Sequence, residues 1–159
     1  MHAYRAASRT IEGAVLIQRP VEAVFEFYRD FRNLPRFLDD VVHVDLTGDG
    51  AFCWTIRTPF GFDVHWPVLI TEVRTNAVIA YEMQCLLAPV RWQVAFACTD
   101  EAATMVHQRI EMPAGEFADI VFGALGKPPA CDVHSNLVRL KMLLDAGLVS
   151  VLDDVVGRH

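Results

Sequence analysis

Residues 54–83 read WTIRTPFGFDVHWPVLITEVRTNAVIAYEM, and apolar and polar residues alternate through most of this stretch. The turn signals TPFG at 58–61 and RTN at 74–76 divide it into three runs. Alternation with period two is typical of strands that have one covered face and one solvated face. Connections this short favour antiparallel neighbours, because a parallel crossover needs about a dozen residues or more. The stretch therefore predicts three consecutive antiparallel strands.

The same pattern extends in both directions along the chain. It predicts six strands after residue 40, at 41–46, 51–57, 62–73, 77–86, 90–98 and 104–112. A seventh strand, at 11–18, ends before Pro20, and proline suits the first turn of a helix because its missing N–H has no helical partner there. The run VEAVFEFYRDF at 21–31 has apolar residues at helical spacing, and Asn33 can cap a second short helix at 34–38.

The last third of the chain predicts a long helix with a break. Residues 116–125 have helical spacing, and GKPP at 126–129 interrupts them because two prolines cannot continue a helix. A second helical run, at 132–146, ends at Gly147, a residue type favoured at helix ends. Its apolar stripe is expected to face the sheet and consists of Val133, Leu137, Leu140 and Leu144.

The composition is that of a folded domain with a large apolar interior. Hydrophobic residues make up 53% of the 159 and charged residues only 21%, which excludes a disordered chain. We expect one domain over 1–159, with its core at about 11–147 and a frayed segment at 1–9. The net charge of −6 and the scattered basic residues argue against nucleic-acid binding. Neither a membrane-spanning run nor a signal peptide is recognised, so a cytoplasmic protein is expected.

The cysteines and the short motifs predict neither a metal site nor a cofactor. Cys53, Cys85, Cys98 and Cys131 are far apart, and no C-x-x-C pair or histidine at metal-ligand spacing accompanies them. They are therefore interpreted as buried free thiols. The sequence also lacks phosphate-binding glycine loops, serine-nucleophile elbows and H-E-x-x-H, so no motif identifies a catalytic residue.

One face of the predicted sheet is apolar and holds all three tryptophans. Its members are Phe52, Trp54, Ile56, Phe62, Val64, Trp66, Val68, Ile70, Ile79, Tyr81, Met83, Cys85, Trp92, Val94, Phe96, Cys98, Val106, Gln108, Ile110 and Met112. Gln108 is the only amide among them, and burying an amide without partners costs on the order of a few kcal/mol. Its side chain either bonds to the nearby backbone or points into a pocket as a contact for a ligand.

The opposite face of the sheet carries ionisable residues. His65 and His107 lie there with Asp63, Arg109 and Glu111, and an acid–base set can be imagined because histidine titrates near neutral pH. Catalytic groups need a cavity that excludes water, however, and this face is solvated. A lattice of surface salt bridges is the better interpretation.

Three stretches resemble a known superfamily: IQRPVEAVFEFYRDFRNLPRF at 17–37, the stretch at 54–83, and NLVRLKMLLDAG at 136–147. They are similar to the START-like (SRPBCC) superfamily, which includes birch-pollen-type allergens, and within it to polyketide cyclase/dehydrase-like proteins. The resemblance implies an α+β helix-grip fold, in which a curved seven-stranded antiparallel sheet wraps around a long C-terminal helix. Two short helices follow the first strand of that fold, and a cavity between sheet and helix binds apolar molecules.

The resemblance also implies which residues line such a cavity. The ligand-binding residues expected from it are Trp54, Trp66, Tyr81, Trp92 and Phe96 on the sheet and Val133, Leu137 and Leu140 on the helix. We expect Phe62, Met83 and Gln108, which share the covered face, to join them. For the tryptophans and the tyrosine, pocket lining and plain core remain equal alternatives. The sequence GKPPA at 126–130 departs from the smooth helix of the family and leaves the position of that part of the helix open.

These patterns and the resemblance support three hypotheses about function. The leading one is binding of a small hydrophobic ligand, such as a lipid, polyketide, quinone or sterol-like molecule, with hydrogen bonds from tryptophan or tyrosine for orientation. The alternative is a polyketide cyclase/aromatase-type enzyme, for which Tyr81 and Gln108 are the polar side chains expected inside. The third is an interaction protein whose cavity is filled by side chains. The oligomeric state stays open.

Overall fold

The computed structural model describes residues 8–58, 60–84, 89–100, 102–115 and 133–147. In chain order, the elements formed by these residues are β1 (Ser8–Ile17), α1 (Val21–Arg29), a 3₁₀ helix (Phe31–Arg36), β2 (Val41–Gly48), β3 (Ala51–Arg57), β4 (Asp63–Arg74), β5 (Val78–Met83), β6 (Val90–Asp100), β7 (Ala103–Pro113) and α2 (Val133–Asp145). None of the described helices is long and apolar enough to cross a bilayer.

The seven strands form one antiparallel sheet in the order β1-β7-β6-β5-β4-β3-β2. Strands β2 to β7 follow one another as a meander, since short connections join neighbouring antiparallel strands. Strand β1 pairs with the free side of β7, so that Ser8 faces Pro113 and Ile17 faces Thr104. The inner face of the sheet and the helices bury one continuous apolar core. This architecture confirms the predicted helix-grip fold.

Helix α1 and the 3₁₀ helix pack on the inner face of the sheet. Pro20 directly precedes α1, as expected from its missing N–H. The Asp30 carboxylate caps the 3₁₀ helix by accepting a hydrogen bond from the Arg32 backbone N–H (3.2 Å). The prediction that Asn33 caps this helix is wrong, because the helix begins at Phe31. The Asn33 side chain instead donates to the Phe27 carbonyl (3.0 Å), one of the acceptors that the end of α1 leaves free.

Helix α2 lies against β1, and a glycine allows the close approach. The predicted stripe of Val133, Leu137, Leu140 and Leu144 is buried. A Cβ atom at Gly13 would lie 2.8 Å from Cγ1 of Val133 and 3.3 Å from Cδ1 of Leu137. The shorter distance is below van der Waals contact, so a larger residue at position 13 would push the helix away from the sheet.

Polar contacts tie the end of α2 to the end of β1. The Asp145 carboxylate accepts hydrogen bonds from the Gln18 backbone N–H (2.7 Å) and from Lys141 Nζ (2.5 Å). Lys141 also donates to the Leu16 carbonyl (2.7 Å). Burial raises the pKa of Asp145, but the bonds from Lys141 and Gln18, together with the positive charges of Lys141 and Arg19, lower it by more, so the net pKa lies below its ordinary value. Gly147 then ends the helix in the left-handed conformation (φ 66°).

Some ends of the elements differ from their predicted limits. Strand β1 includes Arg9, which was expected to be frayed, because β7 is long enough to pair with it. Cys98, expected on the covered face with a buried thiol, is exposed together with the other residues of 97–100 at the end of β6. The following predicted features lie outside the described residues: the helix at 116–125, the break at 126–129, Cys85 and Cys131.

Candidate functional site

Three large aromatic side chains of the inner face meet in the core. Trp54 on β3, Tyr81 on β5 and Trp92 on β6 are at most 1% exposed. Tyr81 and Trp92 are cross-strand partners, and their rings stack with centroids 5.3 Å apart and planes at 7°. The Trp54 ring centroid lies 5.7 Å from that of Tyr81 and 6.2 Å from that of Trp92. The sheet therefore brings three of the predicted ligand-binding residues together.

The helices add two residues that were not predicted to belong to the site. The Phe31 ring centroid lies 4.9 Å from that of Tyr81 and 5.8 Å from that of Trp54. The hydroxyl oxygens of Tyr28 and Tyr81 are 3.0 Å apart and form a buried hydrogen bond. The sequence held a signal for Tyr28, since a phenol on the apolar stripe of α1 needs a partner inside. We call Tyr28, Phe31, Trp54, Tyr81 and Trp92 the aromatic cluster.

The elements that cover the cluster differ from the prediction. The C-terminal helix was expected to supply the cover, whereas Tyr28 of α1 and Phe31 of the 3₁₀ helix make the ring and hydroxyl contacts. The described part of α2 packs mainly on β1. Val133, Leu137 and Leu140 are nevertheless buried in the same continuous core. The predicted site residues thus occupy two neighbouring parts of one interior.

The remaining predicted residues of the sheet differ in burial. Met83 is fully buried two positions after Tyr81 on β5, and the buried Phe96 ring lies 6.0 Å from that of Tyr28. Trp66 is directly opposite Trp54 in the pairing of β3 with β4 and is partly buried.

The predicted position of Phe62 on the covered face is wrong. Both the backbone N–H and the hydroxyl of Thr58 donate to the Phe62 carbonyl, each at 2.9 Å. These bonds hold Phe62 in the β3–β4 loop, before the alternation of β4 begins. Its ring is 49% exposed and stacks on the exposed Phe60 ring, with centroids 6.3 Å apart.

Three hydrogen-bond donors lie in this interior without an acceptor. They are Nε1 of Trp54, Nε1 of Trp92 and Nε2 of Gln108, which are buried and find no partner among the described residues. Gln108 itself is only 2% exposed, so its side chain is shielded from bulk solvent. An unsatisfied buried donor costs about 1–3 kcal/mol. Of the two alternatives for Gln108, bonding of its amide nitrogen to the nearby backbone is not what the structure shows.

The tyrosine pair is uncharged. Burial raises the pKa of the Tyr81 phenol well above its ordinary value, and the neighbouring Tyr28 adds to this shift. Burial also raises the pKa of Tyr28, although the hydrogen bond from Tyr81 opposes part of the change. Both phenols are therefore protonated at neutral pH. A pair of hydroxyls that bond only to each other uses one of its two protons, so one O–H remains available.

The outer face of the sheet is a lattice of surface pairs, as the sequence predicts. These pairs join Arg57 with Asp63, Arg91 with Glu82, and both His107 and Arg109 with Glu12. His65 makes a different contact, with its Nδ1 atom 3.1 Å from Oγ1 of Thr55. These side chains are separated from the aromatic cluster by the sheet itself.

An open groove of about 1000 Å³ runs between the two N-terminal helices and the β2–β3 hairpin. Phe31, Phe52 and Ile70 contribute to its apolar surface, and charged residues such as Arg29 and Asp49 also line it. None of the predicted ligand-binding residues, all of which are described, lines this groove. Phe31 therefore lies between an open, partly charged groove and the closed aromatic cluster.

Comparison with protein families finds a match over residues 8–142 to the family "Polyketide cyclase / dehydrase and lipid transport". Comparison with curated proteins finds no match.

Several solved structures have the same fold. DR_A0006 from Deinococcus radiodurans is 20% identical, with a TM-score of 0.64 over 87% of this chain and 99% of its own. The di-domain ARO/CYC BexL from the BE-7585A biosynthetic pathway is 18% identical, with a TM-score of 0.67 over 89% of this chain and 47% of its own. A START superfamily protein from Mycobacterium smegmatis is 9% identical, with a TM-score of 0.67 over 86% of this chain and 97% of its own.

These structures have the same architecture as this chain. Their sequence identities of 20% and below show a shared fold and nothing about a shared function. The family match is broader evidence, because it spans most of the chain and includes β1, both N-terminal helices and most of α2. The chain belongs to the "Polyketide cyclase / dehydrase and lipid transport" family.

Proposed function

We propose that the protein binds a small hydrophobic molecule in its interior, with the aromatic cluster as the main contact surface. The observation that carries this proposal is the set of three buried donors without acceptors, on Trp54, Trp92 and Gln108. Native cores satisfy nearly all of their buried polar groups, so three such donors in one interior call for an explanation. A bound molecule that supplies the missing partners is the explanation we favour.

The energetics of such a site are those of apolar burial. Each Å² of apolar ligand surface removed from water contributes about 25 cal/mol, and flat aromatic side chains add favourable stacking. Phe62 is left out of the proposed site because of its exposure. The residues we propose are Tyr28, Phe31, Trp54, Trp66, Tyr81, Met83, Trp92, Phe96 and Gln108, together with Val133, Leu137 and Leu140 of α2. The partner is thus a small molecule, and the cytoplasm is the location that we propose for the protein.

A cyclase- or aromatase-type reaction in the same interior is the alternative. The tyrosine pair favours it, because a protonated phenol can donate to a substrate carbonyl that gains negative charge during enolisation. One structurally similar protein, BexL, is a di-domain ARO/CYC. Enolisation also needs a base, and the raised pKa values of Tyr28 and Tyr81 keep both phenols protonated at neutral pH, so neither supplies that base. Binding is therefore the function that we propose first.

The direct test is to identify what the protein carries. The protein is purified without added ligand, measured by native mass spectrometry, and extracted with organic solvent so that the extract can be identified. The proposal predicts an apolar compound at close to one molecule per chain. Recovery of a reactive precursor together with its cyclised product would support the enzyme instead.

A titration with the uncharged fluorescent probe N-phenyl-1-naphthylamine covers the case in which the ligand is lost during purification. We expect saturable binding that Trp54→Phe weakens about tenfold, because the smaller ring removes contact area. Leu69→Ala is the matched control, since Leu69 is an apolar residue on the outer face and is 43% exposed. Neither a co-purified compound nor saturable probe binding would refute the proposal and favour an interaction protein with a filled core.

A further inference from the structure

The unsatisfied polar atoms of the interior share one chemical property, which is that all of them are donors. An indole N–H can only donate a hydrogen bond, so Trp54 and Trp92 each require an acceptor. The side-chain amide nitrogen of Gln108 likewise only donates. The Tyr28–Tyr81 pair adds a fourth donor, because one of its two hydroxyl protons is not used within the pair.

These donors converge although they come from distant strands. Strands β3 and β6 are separated by β4 and β5, which corresponds to about 14 Å in a flat sheet. The ring centroids of Trp54 and Trp92 are nevertheless 6.2 Å apart. Gln108 on β7 is opposite Val94, and Val94 is two residues from Trp92 on β6, so both side chains lie on the inner face as diagonal neighbours. The side chains that carry these donors are therefore neighbours on the inner face of the sheet.

The surroundings of these donors are uncharged. Among the described residues, the buried polar side chains other than tyrosine are Thr55, Thr58, Thr104, Gln108 and Asn136. An anionic ligand would lose its hydration in this interior without meeting a positive charge on the described side chains.

From this pattern, and on the basis of the function proposed above, we infer that the ligand is an uncharged aromatic molecule with hydrogen-bond acceptors. Aromatic ketones and quinones have this chemistry. Their carbonyl oxygens accept from the indole and amide donors, and their flat rings pack against the stacked faces of the cluster.

Three probes with the same ring outline test the inference: 9-fluorenone, fluorene and fluorene-9-carboxylate. Binding is measured by calorimetry or by quenching of tryptophan fluorescence. We expect 9-fluorenone to bind about tenfold more tightly than fluorene, since its carbonyl oxygen accepts two neutral hydrogen bonds that fluorene cannot make. The carboxylate is expected to bind most weakly of the three.

Gln108→Met separates a ligand contact from a structural role. We expect it to weaken 9-fluorenone binding about fivefold, to leave fluorene binding unchanged, and to raise the Tm of the ligand-free protein, because it removes an unsatisfied buried amide. Gln93→Met, at an exposed position of the neighbouring strand, is the matched control and is expected to change none of these quantities. A lower Tm for Gln108→Met would mean that the amide holds the fold together, which contradicts the inference.

The outcomes separate the two proposals. Saturable binding of fluorene as tight as that of 9-fluorenone would overturn the inference about acceptors and leave the proposed binding function in place. Tightest binding of the carboxylate would overturn the inference that the ligand is uncharged. No saturable binding of any of the three probes, in a protein that also fails to bind N-phenyl-1-naphthylamine, would refute the proposed function and this inference with it.

Discussion

Single polar atoms inside an apolar core distinguish this protein from a domain built for stability alone. The Tyr28 and Tyr81 hydroxyls bond to each other, whereas the donors of Trp54, Trp92 and Gln108 find no acceptor among the described residues. Burying these unsatisfied donors costs free energy. Burial of the neighbouring aromatic side chains, which are almost fully shielded from water, offsets this cost. At this scale, the polar atoms that lack a partner are the ones that indicate the function.

The tyrosine pair makes a quantitative prediction. Tyr81→Phe leaves the Tyr28 hydroxyl buried without a partner, so we expect the free energy of unfolding to fall by about 1–3 kcal/mol. The double variant Tyr28→Phe/Tyr81→Phe should lose less than the sum of the two single losses, because replacing both partners leaves no orphaned hydroxyl. Urea denaturation of the four proteins measures this coupling. Strictly additive losses would show that the two hydroxyls do not depend on each other.

At the scale of elements, the close packing of α2 on β1 depends on a glycine at position 13, because a side chain there would collide with α2. We expect Gly13→Ala to lower the free energy of unfolding by about 1–3 kcal/mol, because its Cβ would overlap with Cγ1 of Val133. Gly48→Ala is the matched control, since its Cβ would meet its nearest neighbour, Ala51, at an ordinary 3.6 Å. Combining Gly13→Ala with Val133→Ala should recover part of the loss. An equal effect at both glycines would contradict the close approach.

The contacts that tie α2 to β1 also predict a pH dependence. The pKa of Asp145 is lower in the folded protein than its ordinary value of 3.8. Its stabilising effect is therefore complete above that ordinary value and is lost as the pH falls through the folded pKa. We expect Asp145→Asn to be less stable than the unchanged protein at pH 7, with the two stabilities converging as the pH falls below 3.8 and through the folded pKa.

Urea unfolding at a series of pH values measures this convergence. Asp49→Asn serves as the control because Asp49 is an exposed carboxylate in the β2–β3 turn. Its stability curve should run parallel to that of the unchanged protein. A constant difference between Asp145→Asn and the unchanged protein over the whole pH range would contradict the role given to the Asp145 carboxylate.

At the scale of the whole molecule, the sequence predicts the fold because its signals are local. Alternation with period two lies within each strand, and the short turns between them determine which strands are neighbours. The family resemblance then predicts how the sheet and the helices are arranged. The same signals placed Trp54, Tyr81 and Trp92 together on the covered face, where the structure has them.

The parts that could not be predicted depend on contacts between distant segments. The Tyr28–Tyr81 bond joins residues 53 positions apart, and neither residue alone indicates the other. The position of α2 on β1 depends on Gly13, whose role is visible only once the helix lies beside it. Phe62 continues the alternation of β4 in the sequence, but the bonds from Thr58 to its carbonyl hold it in the loop. Local patterns do not contain this information.

Nuclear magnetic resonance of the indole N–H groups tests directly whether Trp54 and Trp92 donate hydrogen bonds to a ligand bound in the interior. The chain has three tryptophans, so a ¹⁵N–¹H spectrum shows three indole signals, which single Trp→Phe variants assign. During titration with 9-fluorenone, whose single carbonyl oxygen accepts two hydrogen bonds, the proposed binding mode predicts a saturable downfield shift for at least one of the Trp54 and Trp92 signals and a much smaller change for the partly buried Trp66. Unchanged Trp54 and Trp92 signals at saturating probe, or a shift confined to Trp66, would contradict it.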